Sequence, residues 1–149
     1  GAVRGAAAQA RGAGGRLMAA LSPILRSMEG GRLTWWCPGC NSPHVVPVSV
    51  TSGTLPTPDP ADPDWTPPPE YYEARNGWTW NGSAKRPTFM PSVLVTYDGP
   101  DADKPDRPPS VCHSFVVDGQ MQMLGDCTHA LAGKTVPIPD WPRPDWGGV

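Results

Sequence analysis

Cys37 and Cys40 bracket a C-P-G-C knuckle, and Cys112 and Cys127 lie more than seventy residues further on. Two separated cysteine pairs that a fold can bring together suit a tetrahedral zinc site made of thiolates. Such a site is closed and structural, whereas a catalytic zinc keeps an open position and usually takes histidine and carboxylate ligands. The fourth ligand has two candidates: Cys127 gives a four-cysteine site, and His129 gives three cysteines and one histidine. On a short helix these two side chains would project to nearly opposite sides, so one ion takes only one of them, and Cys127 is preferred. His44, just past the knuckle, reads as a strand histidine bonded to backbone, with ligation as its alternative. His113 points to the other face of its hairpin from Cys112 and is the weaker ligand.

Other chemistries leave fainter marks. Three histidines and Asp126 keep a zinc hydrolase in view. Cys127 at a helix start could be a thiolate nucleophile, a role that metal binding would remove. No phosphate-cradling glycine loop, G-x-S-x-G or paired-acid motif is present. The expectation is therefore a non-enzymatic protein with no catalytic residues. Two disulfides in a secreted chain are the alternative use of the cysteines, but the knuckle spacing argues for metal and the start of the sequence has no secretory h-region.

The elements that must position these residues are mostly β. With 21 prolines and 17 glycines among 149 residues and 38% hydrophobic content, a large core is not expected, although seven tryptophans can anchor a small one. Strands are predicted at Arg32–Trp36, His44–Val50, Gly77–Asn81, Val93–Tyr97, Cys112–Val117, Gln120–Leu124 and Lys134–Ile138. Asp118-Gly119 marks a two-residue hairpin turn that sets Val117 opposite Gln120. A short helix is predicted at 127–132, capped by Asp126 and stopped by Gly133. Residues 1–31 form a basic Gly/Ala-rich arm, whose Leu17, Leu21, Ile24, Leu25 and Met28 recur at helical spacing. Residues 32–139 form a zinc-ribbon-like β domain, interrupted by Pro-rich loops at 51–70 and 98–110. Residues 140–149 form a Pro/Trp tail in which Trp141 and Trp146 are interface anchors.

The net charge of −2 is uneven, since residues 1–32 hold five arginines against one glutamate. A basic arm serves solubility, or docks on an acidic surface or nucleic acid; arginines without interleaved aromatics favour neither sequence reading nor a nucleic-acid partner. No apolar run is long enough to span a bilayer as a helix.

The series WWCPGC with His44, WTWNG, RPTFMPSVLV, CHSFVVDG and DCTHALAGKTVPIPDW resembles a family of small proteins encoded by tailed bacteriophages and prophages, over roughly residues 32–142. Proteins of this kind are sometimes labelled ammonia monooxygenase, which this sequence does not support: it has no multi-span pattern and no copper-type histidine cluster. The resemblance implies a phage product made in the bacterial cytoplasm. Carried over, its polar motif positions are Cys37, Cys40, Cys112 and the Cys127/His129 pair. The expected function is a virion structural protein, foremost a capsid decoration or cement protein, then a connector or tail accessory protein. Its arm, loops and tail would grip neighbouring subunits of a large symmetric assembly around a structural zinc. The alternatives are a non-virion phage factor that binds a host protein or nucleic acid, and a zinc-dependent enzyme.

Overall fold

Asp118 and Gly119 both take positive φ, 51° and 79°. That conformation matches the right-handed twist of the strands it joins. It closes a hairpin between β7 (Ser110–Val117) and β8 (Gln120–Met123) with Val117 opposite Gln120, in the predicted register. The remaining strands of this computed structural model are β1 (Met18–Ala20), β2 (Arg26–Met28), β3 (Arg32–Cys37), β4 (Ser42–Thr51), β5 (Trp78–Trp80), β6 (Phe89–Tyr97) and β9 (Thr135–Pro137). The structure describes residues 18–71, 77–100, 102 and 105–142. Among the described residues the nine strands form one sheet in which each strand lies beside the next in chain order.

The long strand β4 organises the sheet. Residues Ser42 to Pro47 pair antiparallel with β3, and Val48 to Thr51 pair parallel with β5. A parallel neighbour needs a crossover, and the Pro-rich segment after Thr51 supplies it. Among its described residues this segment carries a single 3-10 turn, at Pro69–Tyr71, as regular structure, because its prolines cannot donate to a ladder.

Side chains alternate across the sheet and so build separate cores. On one side Trp35, Val46, Trp78, Phe89, Val95 and Val116 are buried, with Trp35 stacked on Phe89 at 5.2 Å. On the other side Met90 and Phe115 are covered by Leu55, Trp65 and Tyr71 of the crossover. A third cluster joins Met18, Met28, Trp36, Val45 and Trp141.

Three local expectations are corrected. The stretch from Met18 to Met28 is a β-hairpin instead of a helix, with Met18 paired to Met28. Its turn is held by the Ser22 hydroxyl, which accepts from the Ile24 and Leu25 amides. The rest of the expected helical arm, up to residue 17, lies outside the described residues. The helix at 127–132 does not form; that stretch is a chain of turns, with Ala132 N donating to His129 O and Lys134 N to Leu131 O. Trp141 anchors the protein's own core: it is 5% exposed, meets Trp36 at 5.8 Å, and lies under the Arg26 guanidinium at 4.6 Å. Trp146 lies outside the described residues.

Candidate active site and metal centre

Cys112 and His113 are consecutive on β7, so they face opposite sides of the sheet. Cys112 belongs to the main core, while His113 shares the side of Phe115. Each of the two residues heads a separate constellation.

On the His113 side, β6 is the neighbouring strand, with Leu94 opposite His113. Ser92 on β6 brings its Oγ to 3.1 Å from His113 Nε2. The Ser92 backbone is fixed in turn by Trp78, whose indole N–H donates to Ser92 O at 3.2 Å. His113 Nδ1 lies 3.0 and 3.2 Å from the two carboxylate oxygens of Asp126. Asp126 reaches this place because residues 124–128 run back along β7: Leu124 N donates to His113 O, and Thr128 N to Val111 O. The carboxylate expected to cap a helix is thus engaged with an imidazole, and the backbone expected to coil is bonded to a strand.

The result is a serine, a histidine and an aspartate in line. With Nδ1–H donated to Asp126, the Nε2 lone pair faces the Ser92 hydroxyl and can take its proton. Ser92 and His113 are each 1% exposed, whereas Asp126 is 56% exposed. A cleft of about 450 Å³ opens beside His113 and Asp126, between Asp59 to Trp65 of the crossover and the β7–β8 surface, with those two residues in its wall. That volume is within the range of small-molecule and peptide side-chain pockets.

On the Cys112 side, the C-P-G-C knuckle forms the turn between β3 and β4, as the spacing predicted. Asn41 N donates to Cys37 O, and Cys40 N points at Cys37 Sγ at 3.4 Å. Cys37 Sγ and Cys112 Sγ are 3.9 Å apart. Thiolates at ~2.3 Å from a tetrahedral zinc would be separated by ~3.8 Å, so this pair has the required spacing. Ligand atoms of Cys37, Cys40, His44 and Cys112 all lie within 4.8 Å of one another, and those of Cys112, Cys127 and His129 form a second such group. This Cys/His cluster can hold a metal ion. The cysteines are free thiols, so the disulfide alternative is not realised.

The electrostatics agree with a shared site. Cys37 is held well below the ordinary thiol range, first by the Cys112 hydrogen bond and then by Cys40. Cys112 is pushed the other way, upward, by its bonds to Cys127 and Cys37, so the sulfurs compete for one another's charge. A cation would relieve this competition.

Two ligand arguments change with the geometry. Without a helix at 127–132, Cys127 and His129 do not diverge; both turn towards Cys112. The His129 ring also lies over the knuckle, where a Cβ on Gly39 would collide with it. The His44 ring is not bonded to backbone: it is fully buried, neither ring nitrogen has a well-formed hydrogen bond, and it acts on the Cys37 sulfur.

Ser92 was not legible as a functional residue. It stands in an ordinary P-S-V-L strand sequence with no motif around it, and its partners come from two other segments. Cys112-His113 and Asp126-Cys127 carry the only local hint, a polar residue beside each distal cysteine.

A family model described as bacterial ubiquitination-like system serine protease (BubE) matches residues 16–124. Ser92 and His113 fall inside the matched span and Asp126 just beyond it. No curated protein and no solved structure matches the chain. The family match overturns the virion reading: decoration or cement function, capsid partners, location in the virion and non-enzymatic character are all corrected by it. The physical reason for the error is visible in the fold. The Pro-rich crossover and Trp141, taken as grips for neighbouring subunits, are spent on the protein's own cores. Among the described residues no helix is long and apolar enough to cross a membrane. Since the match spans most of the sequence, the chain belongs to the BubE family of bacterial ubiquitination-like system serine proteases.

Proposed function

We propose that this protein is a serine protease in which Ser92 is the nucleophile, His113 the general base and acid, and Asp126 the group that orients His113. The substrate class is an amide bond in a protein of a bacterial ubiquitination-like system. The supporting observation is the unbroken line of contacts from Ser92 Oγ through both ring nitrogens of His113 to Asp126.

In the first step Ser92 Oγ attacks the scissile carbonyl as its proton passes to His113 Nε2. Asp126 accepts from Nδ1–H and stabilises the imidazolium that forms. Collapse of the tetrahedral intermediate breaks the C–N bond, and His113 gives its proton to the departing amine. Water then attacks the acyl-serine, with His113 taking the water proton and returning it to Ser92. The cleft beside His113 and Asp126 receives substrate groups next to the scissile bond. Ser92 is 1% exposed, so the chain around it must open for the substrate to reach its hydroxyl.

The cysteine cluster serves as a structural metal centre, and zinc is the ion its sulfur-rich donor set favours. Its ligands would tie the β3–β4 knuckle to the strand that carries the catalytic base. An ion held there would supply cross-linking and no step of the hydrolysis.

The test is cleavage of a ubiquitin-like protein of such a system, fused at its C-terminus to a reporter, by wild type and Ser92→Ala. Cleavage by wild type alone supports the assignment; equal cleavage by both removes Ser92 from it.

A further inference from the structure

The sulfur cluster offers more ligands than one tetrahedral ion accepts. Cys37, Cys40 and Cys112 are common to any arrangement, and His44, Cys127 and His129 compete for the fourth position. Their surroundings differ in a way that separates them.

Cys127 already has partners. Its Sγ lies 3.2 Å from His113 N, which donates to it, and 3.2 Å from His113 O. His129 is engaged at both nitrogens: Nδ1 accepts from Leu131 N at 3.2 Å, and Nε2 is 3.3 Å from Cys112 Sγ. It is also only half-buried. His44 is different. It is 0% exposed, neither ring nitrogen has a well-formed hydrogen bond, and its ring acts on the Cys37 sulfur of the cluster.

An imidazole buried without a well-formed hydrogen bond at either nitrogen is costly, because it exchanges its bonds to water for at most a weak contact with sulfur. Strand pairing explains how it comes to be there. His44 lies opposite Trp35, and Ser42 opposite Cys37, so His44 shares the face from which the Cys37 thiol projects. Its ring meets Trp35 edge-on at 6.1 Å, which fixes its orientation without satisfying it. One of its nitrogens falls within 4.8 Å of all three cysteine sulfurs. A metal ion is the strong partner that this nitrogen lacks.

We propose that Cys37, Cys40, His44 and Cys112 form a three-sulfur, one-nitrogen site for a single zinc-class ion, and that Cys127 stays outside it as the clamp on the His113 main chain. The proposal rests on the structural-metal reading above and is independent of the protease assignment. It also explains the density of cysteine around one strand. Cys112 secures β7 from its core side through the metal, and Cys127 secures the next residue through its backbone. The base of the proton relay is thereby held from behind by two different means.

The experiment is X-ray absorption at the zinc edge on purified full-length protein, with metal content measured in the same sample. The expected result is one zinc per chain with three sulfur and one nitrogen neighbours. A four-sulfur or two-nitrogen shell overturns the ligand assignment while leaving a structural metal in place. Absence of a stoichiometric metal overturns the assignment and the structural-metal reading together. Variants give a second readout by competition with a chromogenic chelator. His44→Ala should weaken zinc binding at least about 100-fold, since one of four ligand bonds is lost. His44→Cys should restore most of it, and Cys127→Ala should stay within about 10-fold of wild type, as expected of a group outside the coordination shell. Loss of zinc on Cys127→Ala with retention on His44→Ala would reverse the assignment.

Discussion

Cys127 Sγ lies 3.2 Å from both the backbone nitrogen and the backbone oxygen of His113. A single sulfur therefore grips the main chain of the residue whose ring stands between Ser92 and Asp126. Removing that sulfur should move the ring more than it unfolds the protein. Cys127→Ala is expected to lower kcat by about 10- to 100-fold, the scale of a displacement near 1 Å. Stability should fall by only about 1–2 kcal/mol for the lost contacts. Cys127→Ser keeps a hydrogen-bonding atom and should recover part of the rate. Steady-state kinetics beside thermal melts checks this, and parallel losses of rate and stability in both variants would reduce Cys127 to a packing residue.

Asp126 is more exposed than the orienting carboxylates of deeply buried triads, at 56%. Water screens its hold on His113, so its removal should matter less than the ~10⁴-fold typical of buried counterparts. Asp126→Asn is expected to reduce kcat by about 10²- to 10³-fold, with KM little changed. The melting temperature should move by no more than a few degrees, because an exposed pair contributes about 1 kcal/mol or less. An unchanged kcat would remove Asp126 from the relay.

Metal removal tests the link between the two faces of β7. A chelator strong enough to strip the cluster should destabilise the fold by several kcal/mol, since a structural site's binding energy is also folding energy. Hydrolysis should disappear in step with bound metal and return when zinc is restored. Full activity from metal-free protein would separate the cluster from the site.

Much of the β framework follows from local chemistry. Asp118-Gly119 imposes its turn wherever the chain goes, and Val45, Val46 and Val48 favour an extended strand without help from distant residues. The knuckle was legible for the same reason: Cys37 and Cys40 need only each other and a tight turn. The helices were misread because their periodicity ignored long-range bonds. Residues 127–132 have acceptable helix chemistry, but Thr128 N bonds Val111 O, and Asp126 is taken by His113. Met18 to Met28 fits a helical stripe equally well as a two-strand ribbon whose buried ends, Met18 and Met28, meet in pairing. The triad was invisible because Ser92, His113 and Asp126 come from three segments and acquire meaning only when β6 and β7 pair. The virion role drawn from the resemblance to phage and prophage proteins is overturned by the family match.

The crossover covers the nucleophile's side of the sheet through Trp65, whose ring meets Phe115 edge-on at 5.4 Å. Trp65→Ala should lower stability by about 1–2 kcal/mol from the lost aromatic contact and apolar burial. It should also raise KM several-fold by loosening one wall of the cleft, with kcat within about threefold of wild type. Kinetics on a short peptide and on a full protein substrate would read the effect. A change confined to kcat would place Trp65 in the chemistry instead of the wall.

The most direct measurement is covalent labelling of the folded protein with a fluorophosphonate, followed by peptide mapping of the adduct. Formation of one phosphonyl ester at Ser92, abolished by His113→Ala, is the predicted result. An intact Ser92 after labelling of a catalytically active sample, or an adduct at another serine, would contradict it.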